Sequence, residues 1–138
     1  MFSRRIVGWA FANHMRVDLV VDAVDMAVSL RRPLPGVIHH SDQGGQYGAR
    51  DFVRRCRRSK ITISMGSVGD CYDNSMAESF FATLECELLD QRRFRNTTDA
   101  RAEIMSFIDW YNHRRRHTAL DMKSPVRYEE IHHTAHAA

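Results

Sequence analysis

Over the first half of the chain, three short segments rich in β-branched and aromatic residues alternate with two segments of helical period, and this alternation most restricts the fold. Arg5-Ile-Val-Gly-Trp-Ala-Phe11 reads as a first strand, Val37 to His40 as a second and Ile61-Thr-Ile-Ser-Met65 as a third. Between the first two, Leu19, Val20, Ala23, Val24, Ala27 and Val28 recur at helical spacing over about Leu19 to Arg32, with Asp18 as N-cap and Pro33 and Pro35 as the stop. A basic helix over about 49–59 turns Phe52, Val53 and Cys56 inward before the third strand. Strands joined by helices pair in parallel, because the helix carries the chain back along the sheet. The expected class is α/β. Two helices follow: one over about 74–89 carrying Glu78, Phe81, Leu84 and Leu88, and one over about 98–117 with Ile104, Phe107, Ile108 and Tyr111 as its apolar stripe. A chain of 138 residues suits one folding unit, expected over residues 1–130, with 131–138 as a disordered tail.

The net charge is only +3, but the cations are clumped: Arg54, Arg55, Arg57, Arg58 and Lys60; then Arg92, Arg93 and Arg95; then Arg114 to Arg116. Such clumps suit phosphate contacts, and equally suit solvated helix faces. Cys56, Cys71 and Cys86 form no Cys-x-x-Cys pair, so a disulfide framework or a cysteine zinc site is not expected. No run approaches 18 apolar residues, and a cytoplasmic protein is expected.

Two carboxylates stand in distinctive surroundings. Asp42 closes the second strand within His40-Ser-Asp-Gln-Gly-Gly-Gln-Tyr47, and Glu78 lies 35 intervening residues later within Cys71-Tyr-Asp-Asn-Ser-Met-Ala-Glu-Ser-Phe-Phe81. Taken singly, Asp42 is a turn acid before glycines, and Ser75-x-x-Glu78 is a capping box. Taken together, two carboxylates at a strand end and a helix start suit divalent cations, which supply the activated and leaving oxygens of phosphoryl transfer.

The two motifs, their interval, and the later Trp110-Tyr-Asn-x-Arg-Arg-x-His117, Ala119-Leu120 and Ser124-Pro125 resemble insertion-sequence DDE transposases with a retroviral-integrase-like catalytic core, over residues 2–130. The resemblance implies a ribonuclease-H-like fold with C-terminal helices packed on the sheet, and metal-dependent DNA cleavage and strand transfer. It implies Asp42 and Glu78 as catalytic metal ligands for Mg2+ or Mn2+, and Gln43, Gln46, Tyr72, Asn74, Asn112 and Arg115 as residues that line or support the DNA site. DNA is the implied partner, with a full-length transposase or a second copy of the chain as further ones. The first acid of the triad, which the resemblance places on a strand upstream of Phe2, has no counterpart, so a truncated catalytic core, inactive alone, is expected. A non-catalytic DNA- or transposase-binding remnant is the alternative. Where relatives carry a cation seven residues after the glutamate, this chain has Glu85.

The absent strand is expected to leave a gap in the sheet, either exposed as an edge or closed by parallel pairing of residues 5–11 with 37–40. His113 and His117, four apart on the last long helix, are expected on a basic face with Arg114 to Arg116 rather than as zinc ligands, since no acid or cysteine completes a set.

Overall fold

A computed structural model describes residues 2–42, 44–65 and 75–136. Packing divides the chain into two compact units instead of one continuous core: Val7–Ser79, and Met1–Ile6 with Phe80–Ala138.

The first unit contains α1 (Val17–Arg31), β1 (Ile38–Ser41), the single turn α2 (Gly45–Gly48), α3 (Arg50–Arg58) and β2 (Thr62–Met65). The strands pair in parallel, from Ile38 opposite Thr62 to Ser41 opposite Met65. α2 and α3 form the crossover that parallel pairing requires. Phe52 and Cys56, one helical turn apart on α3, are wholly buried against Val24 of α1. Val20, Val28, Ile61 and Ile63 close this core from the helix and the sheet. α1 starts two residues before the expected position, so Asp18 falls in its first turn, where its carboxylate favours the helix dipole. The helix ends at Arg32, which adopts the left-handed conformation (φ 42°) and donates its N–H to the Val28 carbonyl. Pro33 excludes further helix, both by lacking an N–H and by disfavouring α geometry at the residue before it.

Residues 5–11 do not form the expected strand, and β1 pairs with β2 alone among the described residues. β-branched residues make a strand only where a partner edge is offered. Gly8 instead lies against α1, where an added Cβ would stand 2.2 Å from the Ala23 carbonyl oxygen, so any side chain there would displace the segment. Neither Ile38 nor Val37 is covered: they are 54% and 43% exposed and border an apolar cavity of about 490 Å³ with Val7, Val24 and Val28. The expected closure by residues 5–11 is therefore absent, and β1 pairs with no strand other than β2 among the described residues.

The second unit is helical. α4 (Ser75–Leu84) begins in the first unit, which ends at Ser79, and passes into a wider π turn at Glu85–Leu89; α5 (Thr97–His113), a 3-10 turn (Thr118–Leu120) and α6 (Pro125–His136) follow. α5 begins where the Asn96 side chain accepts the Asp99 N–H at 2.9 Å. Leu84, Leu88, Phe107 and Tyr111 form the core, with Ile6, Phe80 and Ile104 against it. Phe80 rather than Phe81 faces inward; its ring meets Tyr111 edge to face at 5.2 Å, while Phe81 is 63% exposed. α6 continues to His136 through the stretch expected to be a tail.

Candidate metal and nucleic-acid site

Asp42 follows the last residue of β1. Ser41 is buried and Asp42 exposed, as the alternation of a strand dictates. One carboxylate oxygen, Oδ1, accepts the Gly44 N–H at 2.9 Å, which fixes the carboxylate in the turn. A Cβ at Gly44 would fall 2.9 Å from that same Oδ1 and 2.9 Å from Gln46 Oε1, so a side chain there would push the ends of both side chains aside. Gln46 is carried on α2, directly after this turn. Beneath lies an aromatic cluster in which Tyr47 and His39 each meet Phe52, at 5.4 and 5.2 Å between ring centres. Burial raises the Tyr47 hydroxyl above its ordinary range, and the negative charge of Asp42 adds to that rise. Burial also holds His39 below its ordinary value, in the neutral form, and its Nδ1 is buried without a hydrogen-bond partner among the described residues.

Glu78 is exposed in the first turn of α4, where an acid also suits the positive end of the helix dipole. Asp42 and Glu78 thus stand on separate elements, a strand end and a helix start. Gln43, Tyr72 and Asn74 lie outside the described residues. Among the described residues no three of His, Cys, Asp and Glu converge to hold a metal ion. The donor set itself fits Mg2+ or Mn2+: hard, exposed carboxylate oxygens that leave room for water and phosphate.

Asn112 and Arg115 are engaged within the helical unit. Asn112 is buried, and its side-chain amide pairs with Ile6 as a strand neighbour would: Oδ1 accepts the Ile6 N–H and Nδ2 donates to the Ile6 carbonyl, both at 2.9 Å. Arg115 grips Glu87 with two nitrogens, the shorter contact being 2.6 Å, and lies 5.6 Å above the Tyr111 ring. The hydrogen bonds that Arg115 donates to Glu87 raise its guanidinium further above its ordinary value. α5 ends at His113, so His113 and His117 do not share a helix. His117 is buried instead, its ring 4.9 Å from Tyr111, and burial followed by repulsion from Arg115 and Arg4 lowers its pKa. The expected exposed histidine pair is replaced by one exposed and one buried residue, because the backbone turns at Arg114.

Glu129 was not anticipated. It is 5% exposed, accepts the Ser3 hydroxyl at 2.7 Å and pairs with Arg5 at 2.8 Å. More than 120 positions separate these partners, and no local pattern announces such a contact.

Two profiles of the integrase core domain match the chain, over residues 1–71 and 59–125. The chain belongs to the integrase core domain family. The transposase for insertion sequence element IS904 of Lactococcus lactis subsp. lactis (strain IL1403) is 40% identical over 131 residues, covering 94% of this chain and 52% of that protein. The transposase for IS629 of Shigella sonnei is 33% identical over 135 residues, covering 98% of this chain and 45% of its own length. Transposase InsF for IS3A of Escherichia coli (strain K12) is 35% identical over 130 residues, with 94% and 45% covered. This integrase core chain therefore spans about half the length of the curated relatives it matches. Among its described residues no helix is long and apolar enough to cross a membrane.

Proposed function

We propose that the chain is a DNA-transposition protein whose Asp42 and Glu78 are two of the carboxylates of a metal-dependent DNA strand-transfer site. The observation that carries this is Asp42 itself: an exposed carboxylate at the end of a parallel strand, oriented by the Gly44 N–H. The family and the transposases similar to the chain support it. Mg2+ or Mn2+ held by Asp42 and Glu78 would activate the attacking oxygen and stabilise the leaving one. The protein's own share is to fix the carboxylates and align the DNA. The Gly44 N–H holds Asp42 Oδ1, which leaves Oδ2 as the oxygen for a cation. Gln46, with Gln43, Tyr72 and Asn74 by resemblance, contacts DNA beside it. Asn112 and Arg115 support the site by holding α5 and the residues around Ile6 in place.

The test is Mn2+-dependent joining of a labelled DNA duplex by the chain alone and by a form that carries the additional length of its relatives, each beside Glu78→Gln. Joining by either form that Glu78→Gln abolishes supports the proposal. Joining that survives Glu78→Gln contradicts it. A second function, DNA binding without chemistry, is favoured by one observation: Arg114 and Arg116 are exposed and make no ion pair among the described residues.

A further inference from the structure

We propose that the groove between the end of α5 and the start of α6 is a phosphate-backbone site for duplex DNA, built and used independently of the two acids. This rests on the chain being a DNA-transposition protein, and it extends the family motif at Arg114 to a groove whose other cations, Arg116, Lys123 and Arg127, that motif does not name. A groove of about 480 Å³ is lined by His113, Arg114, Arg116, Lys123, Arg127 and Glu130. Four permanent cations thus face one carboxylate. The carboxylates in and around the groove are already engaged: Glu130 with Arg127 at 3.0 Å, Asp121 with Lys123 at 3.5 Å and Asp109 with His113 at 3.1 Å. Arg114 and Arg116 remain as exposed guanidinium groups with no acidic partner among the described residues. Two adjacent unneutralised arginines repel each other, and a polyanion relieves that repulsion.

The frame beneath them is rigid. Residues 117–123 form a tight loop in which the His117 N–H donates to the Lys123 carbonyl at 3.2 Å and the Met122 N–H donates to the His117 carbonyl at 2.9 Å. Asp121 and Met122 take left-handed conformations, with φ of 51° and 60°, to close it. His117, Leu120, Ser124 and Pro125 anchor the loop as buried residues. The intervening Arg115 is drawn away to Glu87, so the three consecutive arginines divide their work: the middle one holds the fold, and its neighbours stay free for a ligand. Duplex phosphates fit such a site better than a free anion, because cations spread along a groove match charges repeated along a backbone.

The test is binding of a fluorescein-labelled 20-base-pair duplex of arbitrary sequence by the full chain in EDTA, followed by anisotropy from low to moderate salt. Each phosphate contact contributes about 0.9 to the slope of log affinity against log salt. Arg114→Ala/Arg116→Ala should lower that slope by about 1.8, and Arg114→Lys/Arg116→Lys should restore most of it. Arg57→Ala/Arg58→Ala, removing two exposed arginines from α3, should change it less. An unchanged slope in the first variant, an equal loss in the α3 variant, or no binding by the unmodified chain would each overturn the proposal. Because the assay contains no divalent metal, its failure leaves the joining assay above to stand or fall separately.

Discussion

The unit that carries Asp42 and the unit that carries Asn112 hold their motif residues in opposite ways. In the first, an apolar core of Val24, Phe52 and Cys56 supports a two-stranded sheet, and the carboxylate is presented to solvent with one backbone hydrogen bond among the described residues. In the second, the motif residues turn inward, Asn112 to Ile6 and Arg115 to Glu87, and Glu129, outside any motif, gathers Ser3 and Arg5. An exposed acid retains lone pairs for a cation. A buried amide bonded to two backbone groups is shut off from such a ligand, and its worth lies in geometry. Residues of equally distinctive sequence context are therefore presented to solvent in one region and enclosed in the other.

Substitutions can sharpen or break this contrast. The largest effect is expected from Phe52→Ala, which empties the centre of the first core; a loss of about 3 to 5 kcal/mol should appear in urea unfolding. Asn112→Ala leaves the Ile6 N–H and carbonyl without their partner, and a loss of about 1 to 3 kcal/mol is expected. Should Asn112→Ala prove as neutral as an ordinary surface change, the helical unit is not held by that amide and the contrast fails. A smaller effect should come from pH. Both His39 and His117 have folded pKa values lowered mainly by burial from the ordinary 6.5, so the unfolded chain takes up protons that the folded one resists. Stability is then fully present above pH 6.5 and falls as the pH drops below it. His39→Phe and His117→Phe should each flatten part of the thermal-denaturation profile over that range, whereas a profile as steep in the double variant as in the unmodified chain would assign the pH dependence to other groups. The smallest change is expected from Asp42→Asn, an exposed position, where stability should move by no more than about 0.5 kcal/mol.

Much of this was legible in the order of residues, for reasons that differ by element. The helical periods of α1 and α3 and the apolar run before Asp42 are local signals, and the elements stand within a few residues of their expected places. Parallel pairing followed from the alternation of strands and helices, and β1 and β2 obey it. Arg5 to Phe11 failed as a strand because composition states a preference, while a strand also needs an edge to pair with, and Gly8 packs on α1 instead. The end of α5 was placed four residues late because Arg114 to His117 carries no proline or glycine to mark the turn. Nor could local spacing reveal that Asn112 reaches Ile6, 106 positions away, or that Arg115 reaches Glu87. Burial and long-range polar pairing are properties of the folded chain, and they alone separate the presented Asp42 from the enclosed Asn112.

The most direct test of that separation is Mn2+ binding followed by electron paramagnetic resonance in the presence of duplex DNA, for the unmodified chain, Asp42→Asn, Glu78→Gln and Asn112→Ala. Bound Mn2+ should fall at least tenfold for either acid variant and persist in Asn112→Ala wherever that variant remains folded. Binding that survives both acid substitutions would place the metal elsewhere and contradict the assignment of Asp42 and Glu78 as its ligands.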